Sequence, residues 1–502
     1  MDLSDLIDRN AAFTPDKPAI RFPGRTLSFA ALTERIAGTA RALKSRFGVG
    51  RGDRVAILSA NHPDYLVLLY ACARLGALLV PLNWRLAVPE QVFILSDAAV
   101  KVLVVEQGFA DVIPPLRQAL PDVHVIGLDF AEGGVSFDDH LAAATGDGRN
   151  PHIDLSCPLL VVYTSGTTGR PKGAVLRQEA LVWNAAMSVH LHGLTAEDHV
   201  LTVLPLFHVG GLNIQTTPAL QAGATVTLHP RFAPDQTLAA LAEDRPSLVV
   251  LVPATIQALV EHPGWRDTDV SGLRAVTTGS TTVPQPLIDA IESRGVPVLQ
   301  VYGSTETCPI AVYTRLGATH GRSNAAGLPG LYCEARVVDH DGHEVPHGTA
   351  GEVAVRGPNV FFEYWGNEAA TRDALREGWY HTGDIAVRDP DGTFHIRDRK
   401  KNMIISGGEN IYPAEVERVL NAHPAVMEAA VIGRPDPRWQ EVPVAYVVLR
   451  QGAAADATAL HDHCAAELAR FKVPREIVFV PDLPRNALGK VQHFRLREMV
   501  SS

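Results

Sequence analysis

The stretch Tyr163-Thr-Ser-Gly-Thr-Thr-Gly-Arg-Pro-Lys-Gly173 is the most informative part of this 502-residue sequence. It follows Leu159-Leu-Val-Val162, a short apolar run typical of a buried strand, so a strand is predicted to open into a glycine-rich loop. The glycines allow backbone N–H groups to converge on one point, and the hydroxyl and lysine side chains add donors and positive charge. This chemistry predicts a phosphate-binding loop, whose contacts are expected to be Thr164, Ser165, Gly166, Thr167, Thr168, Gly169 and Lys172.

The loop is not of the Walker type, and it has one other interpretation. A Walker phosphate loop carries its lysine directly after the last glycine, whereas Arg170 and Pro171 separate Gly169 from Lys172 here. A cluster of Gly, Ser and Thr is also typical of an ordinary surface loop. The choice therefore depends on the other motifs of the chain.

Composition and charge exclude several classes of protein. The net charge of −10 disfavours a nucleic-acid partner, because phosphate backbones require a basic surface. The five cysteines include no C-x-x-C pair, so neither structural zinc nor a disulfide framework is expected. The N-terminal segment is acidic and amphipathic, unlike a signal peptide, and the most apolar stretch (residues 65–82) is interrupted by Arg74 and Gly76. We expect a cytoplasmic protein without an integral membrane segment.

Hydrophobic patterning divides the chain into two domains. Short apolar runs alternate with helical patterns over most of the length, which predicts layered α/β sheets that are largely parallel. Over residues 331–396 the pattern changes to short strands with Asp-Gly and Gly-Glu turns, typical of a small barrel-like β region. A charged run at 397–402 precedes a new β/α pattern. We predict a large N-terminal domain over residues 1–400 and a small, mobile α+β domain over 401–502.

Two further motifs carry groups that suit a nucleotide. In Val301-Tyr-Gly-Ser-Thr-Glu-Thr307, Tyr302 can stack on adenine, Gly303 allows close approach, Thr305 can donate to a phosphate and Glu306 can coordinate Mg²⁺. In Tyr380-His-Thr-Gly-Asp384, the carboxylate can accept hydrogen bonds from both ribose hydroxyls. Taken singly, the first motif is also consistent with a solvated strand end and the second with a Thr-Gly-Asp turn.

Two glycine-containing motifs lie near the C-terminus. Ile404-Ile-Ser-Gly-Gly-Glu-Asn-Ile-Tyr-Pro413 predicts a turn at Gly407 and Gly408 that leads into a helix beginning at Pro413. Pro484-Arg-Asn-Ala-Leu-Gly-Lys490 places a lysine directly after a glycine. A helix lead-in without a ligand and a solvated surface lysine are the alternatives for these two motifs.

Together these segments resemble the signature motifs of the adenylate-forming, AMP-binding superfamily, and the chain resembles its acyl-CoA synthetases from about residue 10 to residue 497. The resemblance implies an ATP-dependent acid–thiol ligase. Such an enzyme would convert a carboxylic acid to an acyl-AMP and then transfer the acyl group to coenzyme A (CoA), releasing AMP and pyrophosphate. ATP, Mg²⁺ and CoA are the implied cofactors.

The resemblance also implies roles for individual residues. Beyond the phosphate loop, the implied nucleotide contacts are Gly279, Ser280, Thr281, Tyr302, Gly303, Asp384, Arg399, Gly407 and Gly408. The implied catalytic residues are Thr305, Glu306, His208 and Lys490, with Glu306 as the Mg²⁺ ligand and Lys401 as the hinge of the C-terminal domain. Two departures from the family pattern, Ser-Thr-Thr after Gly279 and Asn402 after the hinge, imply a different pocket wall and only a slight change in the domain motion.

The acid itself is predicted only by class. The segments expected to line its pocket contain no Arg or Lys, and these are residues 208–212, 253–256, 278–281, 301–305 and 308–311. A second carboxylate such as that of malonate would be desolvated there without a partner, so a medium- or long-chain fatty acid is expected, with an aromatic acid of the benzoate or cinnamate type as the alternative. A carrier-protein-loading adenylation enzyme, a luciferase-like monooxygenase and an idle nucleotide-binding protein stay open, as does a homodimer.

Overall fold

The protein is described by a computed structural model over residues 1–164, 171–279, 283–318, 325–406, 409–485 and 491–500, without the side chains of residues 401, 409, 410 and 500. The chain forms two compact units. The first comprises Met1–Ala335 and Val355–Tyr380, and the second comprises Arg336–Ala354 and His381–Ser502. The domain boundary expected between residues 400 and 401 stays a prediction. In the described ranges, no helix is long and apolar enough to cross a bilayer.

The secondary structure alternates between strands and helices. Strands β1 to β26 in chain order are Pro18–Phe22, Arg25–Ser28, Arg54–Leu58, Leu78–Pro81, Val102–Glu106, His124–Leu128, Pro158–Thr164, Lys172–Arg177, His199–Thr202, Thr225–Leu228, Leu248–Val250, Ala275–Gly279, Val298–Tyr302, Val312–Tyr313, Leu328–Pro329, Glu334–Val338, Ala350–Arg356, Glu363–Tyr364, Leu375–Arg376, Trp379–Arg388, Phe394–Arg399, Ile404–Ser406, Glu409–Ile411, Val426–Asp436, Gln440–Leu449 and Glu476–Phe479.

Helices α1 to α16 in chain order are Ser4–Phe13, Phe29–Phe47, Pro63–Leu75, Val88–Asp97, Ile113–Ala119, Phe137–Ala142, Gln178–His192, Val209–Gly211, Thr217–Gln221, Pro234–Glu243, Pro253–Val260, Gln285–Glu292, Glu368–Ala374, Pro413–Ala422, Ala457–Glu467 and His493–Val500. A π-helical turn, Leu212–Thr216, joins α8 to α9. Turns of 3₁₀-helix lie at Gln107–Val112, Pro263–Trp265, Thr305–Thr307 and Lys400–Asn402.

Two sheets form the frame of the first unit. The nine-stranded sheet has the order β15–β14–β13–β12–β11–β9–β10–β1–β2, and its strands from β13 to β1 are parallel. The seven-stranded sheet has the order β18–β8–β7–β4–β3–β5–β6, and its strands from β7 to β6 are parallel. Because helices cover both faces of a parallel sheet, a central strand can be buried and apolar on both faces, as Val102–Val105 illustrates. The carboxyl ends of these strands carry the candidate site.

The second unit contains a smaller sheet of order β23–β22–β25–β24, with β26 paired to β25. Side chains of β24 alternate between two cores, since Ala429 and Val431 pack in one and Ala430 and Ile432 in the other. A further five-stranded sheet, ordered β16–β17–β20–β19 with β21 paired to β20, occupies the region of short strands predicted over residues 331–396. These features confirm the predicted α/β class. All five cysteines are free and buried.

Candidate active site

The predicted phosphate loop connects two paired strands. Strands β7 and β8 are antiparallel, with Thr164 opposite Lys172 and Tyr163 opposite Gly173. The Thr164 hydroxyl donates to the carbonyl oxygen of Lys172 at 3.5 Å. The loop contacts Ser165, Gly166, Thr167, Thr168 and Gly169 lie outside the described residues. The structure therefore places the two ends of the loop next to each other.

The Glu306 segment follows β13 in a tight turn. After Tyr302, the chain passes through Gly303 and Ser304 into the 3₁₀ turn Thr305–Thr307. A Cβ atom at Gly303 would lie 1.7 Å from the Pro309 carbonyl oxygen, so glycine is needed there by the chain itself. Thr305 and Glu306 are 6% and 7% exposed. The turn thus holds a carboxylate in a nearly buried position.

Gly279 and Tyr302 end neighbouring parallel strands. In the register of β12 and β13, Gly279 lies opposite Val301, and a Cβ atom at Gly279 would lie 2.3 Å from the Val301 carbonyl oxygen. Crowding by the backbone therefore explains this glycine, whatever ligand is bound. Ser280 and Thr281 lie outside the described residues. The structure brings Gly279, Tyr302 and the Glu306 turn to the same end of the nine-stranded sheet, where strands β12 and β13 have their carboxyl ends.

Tyr364 is the partner that the structure gives to Glu306. The Tyr364 hydroxyl donates to Oε1 of Glu306 at 2.8 Å. The backbone N–H of Phe361 donates to the Glu306 carbonyl oxygen at 2.7 Å, and the Phe361 ring packs on the Tyr364 ring with 4.8 Å between centroids. Sequence reasoning missed Tyr364, because it lies far from Glu306 in the chain and no motif marks it.

The same tyrosine reaches the end of the phosphate loop. Nζ of Lys172 lies 5.4 Å from the centroid of the Tyr364 ring, within the range of a cation–π contact. Tyr364 is opposite Ala174 where β18 pairs with β8. The backbone N–H of Trp365 donates to the Gly173 carbonyl oxygen at 2.7 Å. One side chain thus touches both the predicted Mg²⁺ ligand and the predicted phosphate-binding lysine.

His208 lies after β9, at the start of α8, and is half-buried. The loop before it is fixed by Asn61, whose Nδ2 donates to the Leu204 and His229 carbonyl oxygens at 3.0 Å each. The N–H of Leu206 in turn donates to Oδ1 of Asn61 at 2.8 Å. Asn61 is a second residue that sequence reasoning missed, since a lone asparagine after a strand gives no signal.

A cluster of buried polar side chains packs against Thr277 of strand β12. Nε2 of His192 lies 2.8 Å from the Thr277 hydroxyl and 3.1 Å from Nε2 of Gln215, which belongs to the π-helical turn. Burial lowers the pKa of His192 to about 3, so the imidazole is neutral. Its Nδ1–H donates to the Ser188 carbonyl oxygen at 2.9 Å. Among the described residues, Oε1 of Gln215 is buried without a hydrogen-bond partner.

The predicted ribose contacts belong to the second unit and bind each other. Asp384 and Arg399 are opposite each other in β20 and β21, and Nε of Arg399 lies 2.6 Å from Oδ1 of Asp384. The Asp384 side chain is 9% exposed and that of Arg399 is 47% exposed. Charge-assisted pairing of this kind holds the carboxylate in place. The structure therefore keeps these two residues together.

The remaining predicted site residues of the second unit are described only in part. Lys401 belongs to the 3₁₀ turn Lys400–Asn402, and its side chain lies outside the description. Gly407 and Gly408 also lie outside the described residues, between strands β22 and β23, which pair with Ser406 opposite Glu409. Lys490 lies outside them as well.

Comparison with known proteins gives the family of the chain. Residues 7–365 match the AMP-binding enzyme family, and residues 415–490 match the AMP-binding enzyme C-terminal domain. The chain is 49% identical to an indoleacetate–CoA ligase of Aromatoleum aromaticum over 100% of its own length and 98% of the relative. It is 36% identical to a long-chain-fatty-acid–CoA ligase of Mycobacterium tuberculosis over 94% of its own length and 92% of the relative.

Among solved structures, an anthranilate CoA ligase in complex with anthranoyl-AMP superimposes with a TM-score of 0.93 at 29% identity, covering 100% of this chain and 97% of that one. The family match and the full-length similarity lead to one class of enzyme. The chain belongs to the AMP-binding enzyme family and is an AMP-forming acid–thiol ligase, of the class that uses ATP, Mg²⁺ and CoA and acts through an acyl adenylate.

Proposed function

We propose that the protein activates an aromatic carboxylic acid as its adenylate and transfers the aryl-acyl group to CoA. The observation that carries this proposal is the full-length similarity to a ligase named for indoleacetate. The fatty acid that the sequence led us to expect has weaker support, because the fatty-acid ligase is the more distant relative. The aromatic alternative is therefore favoured over the main expectation.

The polar cluster behind the site also supports an aromatic acid. This cluster lies next to two segments that are expected to line the acyl pocket, because Thr277 directly precedes residues 278–281 and Gln215 is on the turn that follows residues 208–212. His192, at the end of α7, contacts both of these side chains. The buried Oε1 of Gln215 would accept a hydrogen bond from a donor on the substrate, such as an indole N–H. An alkyl chain would leave this acceptor unpaired, which is unfavourable in a buried position.

The first step must join two anions, a carboxylate and the α-phosphate of ATP. The phosphate loop, Thr305 and Lys490 would supply the compensating donors and positive charge, and His208 would lie beside the acyl carboxylate. Asp384 would hold the ribose hydroxyls, and Tyr302 would stack on the adenine. These roles are carried over from the family resemblance and belong to the proposal.

Glu306 has the properties of an Mg²⁺ ligand. Its carboxylate is buried, and among the described contacts only Oε1 has a partner, the Tyr364 hydroxyl, so Oε2 is left to face a hard cation. Mg²⁺, when bound, would neutralise phosphate charge near this carboxylate. The task of Glu306 and Tyr364 is to keep that oxygen in a fixed orientation.

The second step requires the CoA thiol to reach the acyl carbonyl. We propose that the C-terminal domain then rotates about Lys401, which moves Lys490 away. Free CoA is the acceptor that we favour over a carrier protein, because the relatives reported above are named as CoA ligases. The hinge and the acceptor both remain part of the proposal.

The experiment that tests this function supplies purified protein with ATP, Mg²⁺, CoA and a panel of acids, and measures AMP and thioester formation. The panel contains indole-3-acetate, phenylacetate, benzoate, cinnamate and straight-chain acids from C4 to C16. We expect kcat/KM for the best aromatic acid to exceed that of every straight-chain acid by about tenfold or more, because one buried polar contact is worth about 1 to 2 kcal/mol.

Benzothiophene-3-acetate serves as a matched control, since it has the shape of indole-3-acetate without the N–H donor. A clear preference for indole-3-acetate over this control would support the role of Gln215. Straight-chain acids that outperform all aromatic acids would return the assignment to a fatty-acid ligase. Adenylate formation without any transfer to free CoA would instead favour a carrier protein as the acceptor.

A further inference from the structure

A buried carboxylate lies beside the predicted ribose contacts of the second unit. Glu352 belongs to β17, which neighbours β20 in the five-stranded sheet, and its side chain is 9% exposed. Oε1 of Glu352 accepts a hydrogen bond from the backbone N–H of Gly383 at 3.0 Å. Oε2 accepts one from Nζ of Lys400 at 3.1 Å, and Nδ1 of His381 lies 3.7 Å from the same oxygen. Both oxygens of this carboxylate therefore have partners.

The partners of Glu352 flank the pair formed by Asp384 and Arg399. Gly383 directly precedes Asp384 in β20. Lys400 directly follows Arg399, the last residue of β21. These two strands pair with Asp384 opposite Arg399. One carboxylate thus connects both strands at the point where the predicted ribose-binding carboxylate is held.

The backbone before Asp384 has an irregular conformation that neighbouring groups of β17 hold. Gly383 has a φ of +70°, a left-handed conformation that interrupts the extended strand. The Thr382 hydroxyl donates to the Val353 carbonyl oxygen at 2.9 Å and accepts from the backbone N–H of Asp384 at 3.1 Å. Two successive residues of β17, Glu352 and Val353, therefore fix the two residues that precede Asp384.

Packing alone does not explain a carboxylate at this position. Removal of a carboxylate from water is costly unless charged or hydrogen-bonding partners replace the water. An apolar side chain would fill the same space without that cost, but it would offer no acceptor to Gly383 and no opposite charge to Lys400. The contribution that only a carboxylate makes here is to orient these two groups.

We propose that Glu352 is a positioning residue that sets the orientation of Asp384 toward the ribose of ATP. The proposal rests on the function proposed above, in which Asp384 accepts hydrogen bonds from the ribose hydroxyls. Glu352 acts through Gly383 on one side of Asp384 and through Lys400 on the strand that carries Arg399. Because hydrogen bonds are directional, loss of these contacts weakens the binding of the ribose hydroxyls and of no other part of ATP.

The test compares ATP with 2′,3′-dideoxy-ATP, which lacks both ribose hydroxyls. The wild-type enzyme and the E352A, E352Q, K400M and E467A variants are assayed for pyrophosphate exchange with each nucleotide and the best acid of the panel. Glu467 is an exposed residue at the end of α15, so E467A is a matched loss of one carboxylate. We expect E352A to lower kcat/KM for ATP by about 10- to 100-fold, the loss typical of a hydrogen bond to a charged group. The kcat/KM for 2′,3′-dideoxy-ATP should stay at the wild-type value.

The other variants separate positioning from a loss of structure. E352Q keeps an oxygen for the N–H of Gly383, so we expect it to lose less than E352A. K400M keeps the carboxylate and changes a half-exposed side chain, so we expect it to fold and to lose about 3- to 10-fold with ATP alone. If E352A does not fold, K400M decides the proposal. E467A should equal the wild type with both nucleotides.

An equal loss with both nucleotides would overturn the proposal, because it would show a structural role only. A preference for ATP in the wild type that persists unchanged in E352A or K400M would overturn the role of Glu352 alone. Equal use of the two nucleotides by the wild type would instead show that Asp384 does not bind the ribose, and both assignments would fall. If no acid of the panel supports exchange, calorimetric Kd values of ATP and 2′,3′-dideoxy-ATP give the same comparison without an acid.

Discussion

The hydroxyl of Tyr364 donates a hydrogen bond to the carboxylate of Glu306, which is proposed to bind Mg²⁺. Without this donor, Glu306 would lose its contact at Oε1 and could rotate. We expect Y364F to lower the rate of pyrophosphate exchange by about 5- to 20-fold and to raise the Mg²⁺ concentration needed for half-maximal rate, as loss of one hydrogen bond to a charged group predicts. The exposed Tyr332 offers a matched control, Y332F. Identical Mg²⁺ dependence in the two variants would exclude a positioning role for Tyr364.

Lys490 is the residue whose proposed role separates the two half-reactions. It is expected to stabilise charge that develops only when the adenylate forms. K490A should therefore lower pyrophosphate exchange by about 10²- to 10³-fold, while transfer from a supplied acyl-AMP to CoA stays near the wild-type rate. Single-turnover assays of each half-reaction provide the measurement. Equal losses in both would show that the assignment is wrong.

At the scale of the elements, Asn61 connects the two sheets of the first unit. It follows β3 of one sheet and binds the loops that follow β9 and β10 of the other, while being only 4% exposed. N61A would leave three backbone groups without their partner, so we expect a loss of about 2 to 4 kcal/mol in the free energy of unfolding. Urea denaturation measures it. H152A, at an exposed surface position, is expected to stay within about 0.5 kcal/mol of the wild type.

Helices α14 and α16 are joined by an ion pair that depends on pH. Nε2 of His493 lies 3.1 Å from Oε1 of Glu417. Burial lowers the pKa of His493, but the hydrogen bond and the charges of Glu417 and Asp398 outweigh it, and the pKa of His493 is raised above its ordinary value. A raised folded-state pKa gives stability that is fully present below the unfolded value of about 6.5 and is lost as the pH rises through the folded-state value.

We therefore expect the wild type to lose stability above pH 6.5 relative to H493Q, which has no titrating group at this position. Thermal unfolding of both proteins from pH 5.5 to 9 provides the comparison. A difference in Tm that does not change with pH would mean that the histidine contributes through packing alone.

Helices and strands with a clear period were predictable, and those set by tertiary pairing were not. The proline at the start and the apolar stripe of residues 234–243 are local signals that predict a helix, and the helix Pro234–Glu243 forms there. Strand β24, in contrast, continues to Asp436, although Gly433 and Pro435 would end a strand by sequence alone. Its pairing with β25 as far as Gln440 overrides these local preferences. The sequence of β24 alone does not show that β25 supplies its hydrogen-bond partners.

The candidate site shows the same division. Glu306 and Lys172 are predicted from the sequence because each lies in a short motif whose chemistry is local. Tyr364 and Asn61 were missed because their function depends on contacts with residues 58 and 145 positions away, such as Glu306 and Leu206. A single sequence gives no signal for such contacts. The motifs therefore predict the reacting groups, and the fold shows which residues contact them.

At the scale of the whole molecule, burial protects every native thiol. All five cysteines are free and buried, and burial raises the pKa of Cys464 to about 11 and that of Cys333 to about 12. Because only thiolates react with disulfide reagents, we expect the folded protein to release almost no thionitrobenzoate within minutes. In guanidinium chloride all five thiols should react. Rapid release of one equivalent from the folded protein would show that one of these sites opens readily.

Because the five native thiols are expected not to react, the enzyme can be labelled with fluorescent dyes without removal of any native cysteine. A single cysteine introduced at an exposed position of each unit, for example at Arg46 and at Asp462, would take up a donor and an acceptor dye selectively. Energy transfer between the dyes could then follow each catalytic cycle in real time, and a change in transfer efficiency on addition of CoA would report the rotation that the second half-reaction is proposed to need.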